Sequence, residues 1–153
     1  MSIEARQALV DSGRLFFQRD SQRADLLDPN VTRTELIALL SYLVDKGHHL
    51  ELTAVKSDHH DDSDLAPSGV GTHWCGWAAD FWPLTGPKPG AYVDAVTQTF
   101  RDFLGDLAGA PYRLQTGLGG SANLPENLAA AGDASFSDGD EDHVHGGTHP
   151  VAA

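Results

Sequence analysis

The side chains best suited to chemistry lie in Gly71-Thr72-His73-Trp74-Cys75-Gly76-Trp77-Ala78-Ala79-Asp80 and in the later Asp142-His143-Val144-His145. A histidine and an aspartate seven positions apart, followed much later by His-x-His, supply N and O donors for a divalent metal. Catalytic zinc sites commonly take three protein ligands and keep the fourth position for water. The glycine and two alanines between His73 and Asp80 let the backbone turn tightly, so both side chains can converge from one loop and the strand after it. The metal set read here is His73, Asp80 and His145, holding one Zn²⁺ per chain. His145 is preferred to His143 because alternation along a strand points only one of the pair at a given site. His143 would then support the ligands or face the substrate. The bland alternative is a loop histidine and a strand-end aspartate with no metal between them.

Water activated by such a metal needs a carboxylate beside it that does not itself bind the metal. Asp142, three positions before His145, is the candidate base. Glu141 competes, because Asp138-Gly139-Asp140-Glu141-Asp142 offers several acids, and a solvated acidic loop is the simpler reading of that run. Lys56 could hold a substrate carboxylate or a developing oxyanion, with an ordinary surface lysine as its alternative. His59 and His60, inside Asp58-His59-His60-Asp61-Asp62, could serve a second cation, but the run lacks the spacing and glycine of an EF-hand loop. They are read as bordering the cleft or exposed. Cys75 is read as a small buried apolar residue rather than a ligand. His48, His49 and His149 are read as bystanders. Trp74, Trp77 and Trp82 are read as core, although Trp74, beside His73, could wall the site.

These residues carry a resemblance. The block is similar to the zinc D-alanyl-D-alanine carboxypeptidase and L-alanyl-D-glutamate endopeptidase family, whose fold the Hedgehog signalling domain shares. That pattern runs Ser-x-His-x-x-Gly-x-Ala-x-Asp, then an acidic residue and His or His-x-His. His73, Gly76, Ala78 and Asp80 fall on it, with Phe81 continuing as an apolar strand residue. Leu52 to His60 resembles the strand and loop that enter the site, and the likeness spans roughly residues 36–145. Gly71 stands where the pattern has Ser. Lys56 stands where many members have an Arg that grips substrate, and a lysine cannot make the bidentate fork. The resemblance implies a small antiparallel sheet with flanking helices, a murein-derived peptide substrate containing D-amino acids, and a phage lysis or virion-associated setting.

A chain of 153 residues is expected to form one domain with a real core, with residues 1–31 as an N-terminal extension and 121–140 as a mobile loop. The amphipathic start Met1-Ser2-Ile3-Glu4-Ala5-Arg6 does not read as a signal peptide, and no apolar run approaches a membrane span. Cytoplasmic synthesis is the expectation, as is folding in a reducing compartment, since one cysteine excludes an internal disulfide. The net charge of −12 argues against nucleic acid or an anionic membrane as partner.

The elements that must position the site follow from periodicity. Residues 2–16 carry a weak helical pattern, and 19–30 read as a polar connection. Thr32-Arg33-Thr34-Glu35 predicts a capping box. Leu36, Leu39, Leu40, Leu43 and Val44 predict the helix after it, stopped at Gly47. Residues 49–55 alternate as a strand, 74–82 return as a buried segment, and 91–107 predict a second long helix. Residues 112–116 read as a strand closed by the glycines from Gly117, and Val144 marks a last strand whose Gly146-Gly147 stand where apolar residues are expected. Helices and short strands without strict alternation indicate α+β.

The expected activity is therefore a zinc-dependent peptidase. The alternative is a non-catalytic, metal-stabilised binding or virion-structural module of the same fold. A non-haem iron oxygenase fits less well, since its histidine and carboxylate usually stand two apart on one strand.

Overall fold

The computed structural model describes residues 3–55, 76, 78–94, 97–118 and 144–148. In chain order these form α1 (Ile3–Val10), β1 (Leu15–Phe17), α2 (Asp20–Leu27), α3 (Thr34–Asp45), β2 (His49–Ala54), β3 (Ala78–Leu84), α4 (Gln98–Ala108), β4 (Arg113–Leu118) and β5 (Val144–Thr148). The class is α+β, as the sequence indicates. Among the described residues the strands make one sheet in the order β1-β2-β3-β5-β4. The pairs β2–β3, β3–β5 and β5–β4 are antiparallel, but β1 joins β2 in parallel. The sheet is thus mixed rather than antiparallel throughout. A parallel pair needs a long crossover, and α2 and α3, which lie between β1 and β2 in the chain, supply it.

Helix α3 follows its apolar stripe: Leu36, Leu39, Leu40 and Leu43 are buried, with Ile37 and Val44 widening the face. It stops at Gly47, whose φ of 99° is left-handed. The Gly47 N–H donates to the Val44 carbonyl at 2.9 Å and the His48 N–H to the Leu43 carbonyl at 3.2 Å. This is the Schellman arrangement, which satisfies carbonyls a helix end leaves open. The capping box does not form. The Thr32 hydroxyl donates instead to the Asp25 carbonyl at 2.6 Å, and no side chain caps α3 at Arg33. Arg6 explains the competition: it is buried and donates to the Leu26 carbonyl at 2.9 Å and the Thr32 carbonyl at 2.6 Å. The turn between α2 and α3 is therefore gathered around one guanidinium. Burial pushes the Arg6 pKa down, and the Asp28 carboxylate opposes that shift.

Three elements differ from expectation. The helical pattern read over residues 2–16 gives a helix only to Val10, and Leu15–Phe17 is strand β1, paired with β2. Within the polar connection, Asp20–Leu27 is helical, because the Gln22 side-chain oxygen Oε1 accepts from the Gln18 and Arg19 N–H groups at 2.8 and 3.2 Å while Leu26 is buried. Helix α4 starts at Gln98 rather than near 91, capped by the Thr97 hydroxyl, which accepts from the Phe100 N–H at 3.3 Å. The preceding residues are claimed by β3: Tyr92 bridges Leu84, and the Trp82 indole donates to the Val93 carbonyl at 2.8 Å.

The core lies between the sheet and helices α3 and α4. Leu50 and Leu52 of β2 and Ala79 and Phe81 of β3 cluster with Leu40 and Leu43 of α3 and Phe103 and Leu107 of α4. Each fully buried Leu or Phe contributes roughly 1.5–3 kcal/mol, so this layer is what holds β3 in place. Leu9, Val10, Leu15 and Leu26 belong to the same cluster. Among the described residues no helix is long and apolar enough to cross a membrane.

Candidate metal centre

Strand β3 carries the central carboxylate. Alternation sends Ala79 and Phe81 to the helix-covered face, which puts Asp80 and Trp82 on the opposite one. Asp80 is only 3 % exposed. Strand β5 lies alongside, and its register sets Asp80 directly opposite His145, with Ala78 opposite Gly147 and Ala79 opposite Gly146. Directly opposed positions of an antiparallel pair share one sheet face, with Cβ atoms about 4.5–5.5 Å apart. Residues 65 positions apart in the chain are thereby made neighbours, and these are two of the three ligand positions read from the sequence.

The glycine pair in β5 has a structural account. The strand runs through Gly146 and Gly147, pairing them with Ala79 and Ala78 on one side and with Thr116 and Gln115 on the other. Ladder bonds from two neighbours hold a segment whose own β-propensity is low. Strand β4 accordingly extends to Leu118, beyond the glycine expected to close it.

The approach to β3 is pinned as well. Gly76 has a φ of 80°, and a Cβ there would stand 2.0 Å from the Val31 carbonyl oxygen. Its own carbonyl accepts from the Arg33 N–H at 3.0 Å. Only glycine allows this contact, so the segment leading to Asp80 is clamped to the turn before α3.

On the other flank of β3, the register with β2 shifts between Leu52 and Ala54, so that Ala54 stands opposite Asp80 and Thr53 is the inserted residue. Bulges of this kind re-aim side chains beside functional sites. The Thr53 carbonyl is drawn to Arg19 Nη2 at 3.0 Å and Gln22 Nε2 at 3.2 Å. One pair further along, Glu51 opposes Trp82. Glu51 is 4 % exposed and accepts from Gln18 Nε2 at 3.1 Å, from the Gly90 N–H at 3.0 Å and from the Tyr92 hydroxyl. Neither Glu51 nor Thr53 was singled out by sequence. A charged residue in an alternating strand reads as solvent-facing, and its donors come from positions as distant as Tyr92.

The remaining candidates fall differently. His73, Asp142, Glu141, His143, Lys56, His59, His60, Cys75 and His149 lie outside the described residues. His48 and His49 sit at the far end of β2 from Asp80, where His49 opposes Leu84. His48 Nε2 lies 2.7 Å from Asp106 Oδ2, and its ring meets the Phe103 edge at 5.1 Å, which makes it a strut between β2 and α4. Trp82 is core, stacked on Phe100. Among the described residues no group of three or more His, Cys, Asp and Glu converges.

Aspartate and histidine are among the O- and N-donor residue types that zinc takes, and the register sets one of each at opposed positions of β3 and β5. Comparison with protein-family models, curated proteins and solved structures finds no match to this chain.

Proposed function

We propose that the chain is a zinc-dependent peptidase of the D-alanyl-D-alanine carboxypeptidase and L-alanyl-D-glutamate endopeptidase type, with the Hedgehog-type fold, acting on cell-wall peptides that contain D-amino acids. The observation that carries this reading is the β3–β5 register, which brings the buried Asp80 opposite His145. His73, Asp80 and His145 would hold one Zn²⁺. Such a metal supplies, when bound, Lewis acidity to water and to the scissile carbonyl. Asp142 takes the proton of the attacking water and returns it to the leaving amine. Lys56 holds a substrate carboxylate or the oxyanion that develops on the carbonyl, and His143 would support the ligands or face the substrate. Asp80 has no freedom to wander, because the strand that bears it is backed by the core on one face and clamped at Gly76.

Metal content by mass spectrometry, combined with product analysis on purified muropeptides, tests the proposal. One zinc per chain and a single new pair of termini are expected. A dialysed protein with neither zinc nor product would overturn it.

A further inference from the structure

Asp80 is flanked by two strands. On the β5 side it faces His145. On the β2 side it faces Ala54, which follows directly on the bulge at Thr53. We infer that Gln22 of α2 is a positioning residue for Asp80, acting through the Thr53 carbonyl and the bulge that it holds.

The bulge changes the phase of β2. Leu50 and Leu52 are in the core, and strict alternation would send residue 54 to the same face. The core takes Val55 instead, which is 1 % exposed. One inserted residue accounts for this, since a slip of one position reverses every side chain beyond it. The inserted residue of a bulge drops out of the ladder, so its carbonyl needs a donor from elsewhere. Two side chains at the start of α2 supply one: Gln22 Nε2 at 3.2 Å and Arg19 Nη2 at 3.0 Å.

The two donors are not equivalent. Arg19 is exposed, where water competes for its N–H groups, whereas Gln22 is fully buried. Gln22 also uses both ends of its amide. Its Oε1 accepts from the Gln18 and Arg19 N–H groups and opens α2, while its Nε2 reaches across to β2. One planar group thus ties the helix start to the bulge. A bulge sharpens the twist of its strand, and β2, β3 and β5 lie side by side. The twist at Ala54 therefore sets the angle at which β3 presents Asp80 to His145. Losing the hold would turn the carboxylate without changing which residues pair. The consequence for zinc rests on the metal reading of Asp80; the hold on the bulge does not.

Three variants test this. Gln22→Glu keeps an oxygen for the Gln18 and Arg19 N–H groups but puts a second oxygen, in place of a donor, against the Thr53 carbonyl. Gln22→Met removes the donor without adding charge. Deletion of Thr53 removes the bulge itself, leaving Leu52 opposite Phe81 and Ala54 opposite Asp80 in an unbroken ladder. Leu9→Ala, which empties part of the core elsewhere, is the control for a general loss of stability. The readouts, taken where each protein is folded, are the ¹³C resonance of the Asp80 carboxyl carbon in chelator-treated protein and zinc affinity by chelator competition. All three variants should move the resonance and weaken zinc by about tenfold, the scale of residues that support a metal ligand. Gln22→Glu should weaken zinc no further once Thr53 is deleted. Leu9→Ala should change neither readout. An unmoved resonance in Gln22→Glu and Gln22→Met, zinc held as tightly by them as by a zinc-binding wild type, or an equal loss in Leu9→Ala would overturn the proposal. A wild type that holds no zinc, with the resonance still displaced in both Gln22 variants, counts against the metal reading alone.

Discussion

Trp82 stacks on Phe100 with ring centroids 4.7 Å apart and 25° between the planes. Its indole also donates to the Val93 carbonyl at 2.8 Å, so one side chain ties β3 both to α4 and to the segment before it. Phe103 of α4 meets the neighbouring Phe81 edge-on at 6.2 Å. The carboxylate of Asp80 is thus carried by a strand that two aromatic residues of α4 pack against. Phe100→Ala removes this brace and should destabilise the protein by roughly 3–5 kcal/mol in urea unfolding, the usual range for emptying a buried aromatic site.

Asp80→Ala should remove most bound zinc, and His73→Ala should do the same, since either leaves two protein ligands. Metal-binding energy is also folding energy. A chelator should therefore lower the melting temperature of the wild type and hardly change that of the variants. Zinc retained at one per chain by either variant after dialysis would sink the ligand assignment.

Asp142→Asn tests the base. Metal content and melting temperature should stay near wild type, with kcat down by roughly 10²–10⁴, the scale expected for a lost general acid–base group. Glu141→Gln is the control and should be nearly silent. Exchanged outcomes would make Glu141 the base. Silence in both would favour the non-catalytic, metal-stabilised module.

Gly76→Ala should be disproportionately harmful for so small a change. The left-handed backbone alone costs about 1–2 kcal/mol for a residue with a Cβ, and the new atom would press on the Val31 carbonyl. Chemical unfolding should show a larger loss than the backbone cost alone, and zinc affinity should fall with it. Val31→Gly should give no rescue, because the obstacle is main chain.

His49 gives a pH dependence. Burial lowers its pKa, with Arg14 and His48 adding to the effect in that order. The folded state therefore binds its proton less readily than the unfolded chain, so protonation favours unfolding. Stability from this group is complete above the unfolded value near 6.5 and is lost as pH falls through it towards the lower folded value. Melting temperatures compared between about pH 8 and pH 5 should show this acid-side loss, and His49→Gln should flatten it.

What the sequence disclosed was local. The α3 stripe, its stop at Gly47 and strand β2 all depend on neighbours within a few residues. Val93 misled because it sits at helical spacing from Phe100, yet its carbonyl is taken by Trp82 from another element. Thr32 misled in the same way, since its hydroxyl had a better partner in Asp25 than the helix end it preceded. Helix α2 was hidden by its polarity, being fixed by one buried leucine and one glutamine. At the site, Asp80 and His145 become neighbours only through the β3–β5 register, and Glu51, Thr53 and Tyr92 become a group only through the β2–β3 bulge and the bridge at Leu84. No short-range pattern encodes either.

The order β3-β5-β4 also sets a sequence of events. As the chain is synthesised, residues 113–118 emerge well before 144–148, yet among the described residues β4 pairs only with β5. Until β5 threads between them, β3 and β4 each present a bare edge, the kind of surface on which chains stick to one another. Pairing across so many residues is slow, so sheet closure should be the late step of folding. The histidine opposite Asp80 arrives with that closure, so on the peptidase reading the proposed site would be assembled only when the sheet is whole.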